Sequence, residues 1–199
     1  MDSFADLLLT AIKSTSITEW IIFIFALAYV ILAAFEKAWC WIFGILSSAL
    51  SVYLCFKGKL FLESGLSVFY VLIGFYGWYQ WLYGSVKHTE NQIISWPIKK
   101  TLVILLIGIL LWIPTGLIAS KYSTQALPYL DAFITVFSLL ATWMTTKKIL
   151  ENWLFWIVID ALSISLYASR GFYLIALLYI IYTLVAAAGY FKWRKNFSH

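Results

Sequence analysis

Seven stretches of nearly uninterrupted apolar residues constrain this chain more than any motif in it. They fall at about 18–35, 38–56, 60–83, 101–119, 128–146, 152–169 and 172–192. Each is long enough to cross a bilayer core as a helix. A bilayer leaves no water for exposed backbone groups, so spans must be helices or closed barrels. A barrel is excluded, because the runs are continuously apolar rather than alternating and the connections are too few. The chain therefore reads as one all-α integral membrane domain over residues 1–199. With 63% apolar and 12% charged residues, it carries more apolar side chain than one soluble core uses. Residues 1–15 do not read as a cleavable signal: Asp2 and Asp6 stand where positive charge is expected, and Leu7 to Leu9 is a short apolar run.

A passage occurs twice. Residues 36–81 open EKAWCW and close YGWYQW, and residues 151–193 open ENWLFW and close GYFKW, with Lys57-Gly58 and Arg170-Gly171 between. Matched letter by letter, the register drifts only slightly along the passage: Glu36 answers Glu151, Trp41 answers Trp156, Tyr53 answers Tyr167, Tyr70 answers Tyr182, Gly77 answers Gly189 and Trp81 answers Trp193. Three helices per copy would invert the second copy unless one helix intervenes. The expected architecture is thus 3+1+3: a first repeat over 18–83, a linker helix over 101–119 carrying Pro114 and Gly116, and a second, parallel repeat over 128–193. Internal repeats of this kind are a transporter signature.

The fourteen basic residues set an orientation. Lys37, Lys87, Lys99, Lys100, Lys147, Lys148, Lys192, Arg194 and Lys195 fall on one side; Lys13, Lys57, Lys59, Lys121 and Arg170 fall on the other. The positive-inside rule places the C-terminus in the cytoplasm and the N-terminus outside. Basic residues that set topology and attract anionic lipid account for the pI near 9.1 without nucleic acid. The polar stretch 84–100 forms one loop, with Trp96-Pro97 at the interface. Cys40 and Cys55 lie at opposite ends of one helix, about 22 Å apart, too far to pair. His88 and His199 make no metal set, and no cofactor motif appears.

Candidate chemistry gathers on 152–169. Trp153, Trp156, Asp160 and Tyr167 share one helical face. A mid-span carboxylate must face the bundle interior, water or a cation. Asp160 is either bonded to Ser47, Ser48 or backbone, or it serves a substrate or a proton; by letter matching its counterpart is Ile45. A second stripe, Tyr70, Gly74, Gly77 and Trp81, aligns with Tyr182, Ala186, Gly189 and Trp193, where small residues allow close helix approach. Trp78, Trp81 and Trp193 sit where interface anchoring competes with ligand contact. Tyr70, Tyr179 and Tyr182 lie deeper, where a phenol needs a ligand or a partner such as Ser67. Such a site suits a flat, cationic aromatic molecule. An intramembrane enzyme needs a second catalytic group near Asp160, and Glu63 and Asp131 fall near helix ends.

YGWYQW, ENWLFW and the 3+1+3 pattern together resemble the PnuC family of bacterial vitamin transporters, over about residues 18–194. The resemblance implies two parallel three-helix bundles like those of SWEET sugar transporters. It implies uptake of nicotinamide riboside across the inner membrane by facilitated diffusion, with phosphorylation trapping the cargo, and a trimeric assembly. Relatives carry thiamine or riboflavin. Riboside-carrying members place Asn or Gln at positions matching Ser47, Ser67, Gly74, Asp160 and Ala188, none of which is an amide here, so thiamine is the alternative cargo. A binding subunit dependent on an energising partner is the alternative of another class. Ser47, Ser67, Tyr70, Trp81, Trp156, Asp160, Tyr179 and Tyr182 are the expected substrate-binding residues.

Overall fold

A computed structural model of the chain describes residues 12–13, 15–58, 61–84, 92–122 and 127–197; residues 1–11, Lys59, Lys87, His88 and His199, which enter the expectations above, lie outside them. It contains seven long helices: α1 (Ile17–Ala34), α2 (Cys40–Lys57), α3 (Phe61–Tyr83), α4 (Ile98–Tyr122), α5 (Pro128–Thr146), α6 (Asn152–Ser169) and α7 (Tyr173–Phe197). Six of them, α1, α2, α4, α5, α6 and α7, are long and apolar enough to cross a membrane by length and composition.

Local chemistry sets the helix ends. Ser16 caps α1 in a capping box: its hydroxyl accepts from the Glu19 amide at 3.3 Å, and the Glu19 carboxylate accepts from the Ser16 amide at 2.6 Å. Pro128 opens α5, where its missing N–H is not needed. Pro114 lies inside α4. Just after it, Gly116 lets the helix close on Tyr129, whose ring leaves a Cβ only 2.5 Å at that position. The Trp112 indole donates to the Tyr129 carbonyl at 2.8 Å.

The packing is regular. α2 packs against α1 and α3, α6 packs against α5 and α7, and these two groups meet through α1 on α7 and α3 on α5. Among the helices, α4 packs only along α5. That cover leaves α5 with ten buried residues, whereas α1 buries only Ala33 and Ala34.

One spacing relates the two groups. The α1–α2 turn closes with Lys37 N donating to Leu32 O at 3.0 Å, and the α5–α6 turn with Ile149 N donating to Met144 O at 3.1 Å. Glu36 and Lys148 occupy the same left-handed position in these turns, with φ of 56° and 51°. Cys40–Lys57 and Asn152–Ser169 are equal in length, so Cys40 answers Asn152 at one end and Lys57 answers Ser169 at the other. The drifting register expected from matching letters is therefore corrected: Trp41 answers Trp153, Glu36 answers Lys148, and Asp160 answers Ser48 rather than Ile45. Glu151 resembles Glu36 in sequence only. Its carboxylate accepts from the Ser95 hydroxyl at 2.7 Å and the Trp96 amide at 3.0 Å, fastening the end of the 84–100 loop. Ile94 completes that seam by exchanging backbone hydrogen bonds with Lys148 and Leu150 at 2.9 and 2.8 Å.

Candidate functional site

Where the two helix groups meet, one end is closed by tryptophan. Gly77 on α3 and Gly189 on α7 have no side chain because indoles occupy the space: a Cβ there would meet Trp41 at 2.5 Å and Trp153 at 2.9 Å. Each seated indole meets a second one edge-on, Trp41 against Trp81 at 5.6 Å and Trp153 against Trp193 at 5.4 Å. Trp81 and Trp193 then touch each other at 6.0 Å. Both also reach across the junction. The Trp81 N–H donates to the Thr145 carbonyl at 3.1 Å, and the Trp193 N–H donates to the Ala33 carbonyl at 3.2 Å.

Charge fastens the same end. Lys148 Nζ lies 3.8 Å from the Glu36 carboxylate and 4.8 Å from the Trp81 ring centroid. Burial pulls the Lys148 ammonium below its ordinary value, and Glu36 opposes that shift. Glu36 also accepts from the Asn196 amide at 2.6 Å.

Toward the middle of the helices the junction opens into two cavities. The larger, about 220 Å³, is walled by Tyr29, Tyr70, Trp153, Trp156, Tyr179 and Tyr182, with Ser138, Thr145, Asn152 and Asp160 as its polar groups. The smaller, about 130 Å³, lies within the α1–α3 group and is walled by Trp41, Gly44, Ser47, Ser48, Ile73 and Gly74. Tyr29, Tyr70 and Trp156 border both, so the two cavities adjoin at these side chains.

Five of the eight expected residues, Tyr70, Trp156, Asp160, Tyr179 and Tyr182, line the larger cavity, and Ser47 lines the smaller. Ser67 and Trp81 line neither. The Ser67 hydroxyl donates back to the Glu63 carbonyl at 2.9 Å, Tyr70 has its side-chain hydrogen bond with Ser138 instead, and Trp81 belongs to the closed end. Tyr167 stacks behind Tyr179 at 5.2 Å and supports that wall. Asp160 is 3% exposed and forms no hydrogen bond or ion pair with another described side chain, so the bond to Ser47 or Ser48 is not made. Ser47 instead donates to the Ile22 carbonyl at 3.2 Å. Asp131 pairs with Arg170 at 2.9 Å, away from Asp160's cavity.

Sequence reasoning missed Tyr29, Thr145 and Asn152. Asn152 is fully buried; its amide donates to the Ile149 carbonyl at 2.5 Å, and its oxygen lies 3.1 Å from the Thr145 hydroxyl. That hydroxyl accepts from Trp156 at 3.4 Å, so the ring's edge is tied to the amide pair. The indole N–H groups of Trp41 and Trp153 are buried without a partner among the described residues, one beside each cavity. Buried donors are costly to leave unpaired.

Comparison with known proteins agrees with this architecture. The Nicotinamide mononucleotide transporter family profile matches residues 16–195. The nicotinamide riboside transporter PnuC of Escherichia coli K12 is 27% identical over 187 residues, covering 81% of this chain and 78% of that protein. The riboflavin/roseoflavin transporter RibM of Streptomyces davaonensis is 23% identical over 164 residues, covering 79% and 75%. A crystal structure of the vitamin B3 transporter PnuC superimposes with a TM-score of 0.75 at 22% identity, over 96% of this chain and 87% of that one. The profile takes in all seven helices and the superposition carries the likeness through the fold, so the chain belongs to the nicotinamide mononucleotide transporter family, that of the PnuC proteins.

Proposed function

We propose that the chain carries a flat vitamin, nicotinamide riboside first, across a bacterial inner membrane by facilitated diffusion, with metabolic trapping on the far side. The observation that carries this reading is the larger cavity at the junction, walled by four tyrosines and two tryptophans around one carboxylate. Aromatic faces stack on a planar ring, and tyrosine edges hydrogen-bond its hydroxyls. Cargo is held between a first repeat, α1–α3, and a second, parallel repeat, α5–α7, with α4 as the linker that restores direction. The constant register of the two copies, Leu32 with Met144 in the turns and Cys40 with Asn152 at the helix starts, supports that 3+1+3 duplication.

Alternating access follows as rocking of one repeat against the other. The tryptophan cluster and the Glu36–Lys148 pair close one end and must part for cargo to leave there. That end carries Lys37, Lys147, Lys148, Lys192, Arg194 and Lys195, so it faces the cytoplasm, with the N-terminus outside; trimeric assembly of the copies is what the family resemblance implies. Asp160 favours thiamine as second cargo, because the aminopyrimidine of thiamine donates hydrogen bonds that a carboxylate accepts.

Thermal unfolding of the detergent-purified protein with nicotinamide riboside, thiamine or riboflavin tests the reading, since a ligand that binds the folded state raises its apparent stability. A shift with the riboside is expected. A shift with thiamine alone reassigns the cargo, and no shift with any of the three refutes the vitamin reading.

A further inference from the structure

We propose that Asp160 selects cargo by charge, so that the larger cavity takes an aromatic ring bearing a fixed positive charge and rejects the same ring when neutral. The inference rests on the carrier reading above and adds the residue that sets cargo class and cargo direction.

The carboxylate is 3% exposed, on a helix apolar enough to span a membrane. Among the described residues none that lines its cavity is a cation: Tyr29, Tyr70, Tyr179 and Tyr182 contribute phenols, Trp153 and Trp156 indoles, and Ser138, Thr145 and Asn152 neutral polar groups. The nearby loop cations are engaged elsewhere, Lys148 with Glu36 and Arg170 with Asp131. A buried carboxylate without a counter-charge is costly, and a cationic ring removes that cost while bringing its own charge against electron-rich aromatic faces. A neutral ring of the same outline gains the stacking and leaves the carboxylate unmatched.

The two cavities also differ in charge. Ser48, the counterpart of Asp160 in the first repeat, is neutral and lines the smaller cavity beside Ser47. The charged ring therefore lies toward α6 and α7, and a hydroxyl-bearing arm reaches toward the neutral Ser47 and Ser48 of α2.

Nicotinamide riboside and its 1,4-dihydro form provide the test, because reduction removes the pyridinium charge and keeps the outline; thiamine is a second cation. Initial uptake into vesicles containing the purified protein is compared for each. The wild type is expected to prefer the cationic riboside over the dihydro form by about tenfold or more, the scale of breaking a buried charge pair. Asp160→Asn is expected to collapse that ratio while dihydro uptake persists, and Asp160→Glu to keep it. Because the readout is a ratio within one preparation, a lower yield of either variant does not imitate the result. Equal uptake of both forms by the wild type overturns the inference and leaves the carrier reading standing, as does an unchanged ratio in Asp160→Asn. If the riboside, its dihydro form and thiamine all fail to enter, the carrier reading itself fails, and the inference with it.

Discussion

Equivalent positions on α2 and α6 carry the same scaffold and different chemistry. Trp41 and Trp153 are both buried, both seated on a glycine and both turned edge-on to a second tryptophan. Yet Cys40 stands opposite Asn152, Ser48 opposite Asp160, and Gly44 opposite Trp156. The last difference is an exchange of volume. Gly44 makes room for the Tyr29 ring, which leaves a Cβ only 2.9 Å there, while Trp156 packs against the cluster containing the small Ala141, the partner position of Tyr29. A large residue and a small one thus stand at these paired positions in each half, with the sizes reversed. Under the proposed carrier mechanism, a seam between two rocking units is served by equal contacts on both sides, whereas a cargo with two unlike ends is served by unequal ones.

That contrast orders the expected effects of substitution. Trp81→Ala and Trp193→Ala should each cost about 3–5 kcal/mol, the scale for deleting a buried aromatic side chain. Thermal midpoints should fall by similar amounts in the two variants, and a drop confined to one would break the equivalence of the halves at the seam. Gly77→Ala and Gly189→Ala should each cost about 1–3 kcal/mol by overpacking an indole. Gly77 should suffer more, since its contact would be 2.5 Å against 2.9 Å, and the reverse order would show that Trp41 yields more easily than Trp153.

The charges come next. Glu36→Lys places like charges on the two matching turns and should cost about 1–2 kcal/mol for a partly buried pair. Combining it with Lys148→Glu should restore most of the loss; a double variant as unstable as the single one would remove the pair from the account of the closed end. Least affected should be Ser48→Ala, with riboside uptake within about threefold of wild type, the scale of one neutral hydrogen bond. A larger loss there would place the charged and neutral ends of the cavity on an equal footing.

Much of this was legible from residues alone. Apolar runs located all seven helices to within a few residues, because helix length and hydropathy are local properties. The stripe Tyr70, Gly74, Gly77 and Trp81 was legible as a packing face for the same reason. What each member touches was not. Ser67 and Trp81 share helix α3 with Tyr70, but one hydroxyl turns to its own backbone and one indole reaches α5. Those outcomes depend on neighbouring helices that periodicity does not name. Letter matching set Glu36 against Glu151 and displaced the register there, because a left-handed turn position admits Glu in one copy and Lys in the other. Asn152 escaped notice as a helix-opening residue, and Tyr29 because the matching position is Ala141. The amide absent from the positions where family resemblance placed it lies instead beside Trp156, through Thr145.

The most direct test of the central claim, that the junction cavity carries a vitamin through the chain and does not merely bind it, is counterflow. Vesicles containing the purified protein are loaded with unlabelled nicotinamide riboside and diluted into a trace of labelled riboside. The account predicts a transient accumulation of label inside above its outside concentration, diminished in Asp160→Asn and lost with Trp156→Ala. Riboside binding to the purified protein with no accumulation in loaded vesicles would contradict it, and would identify the chain as a binding subunit that requires an energising partner.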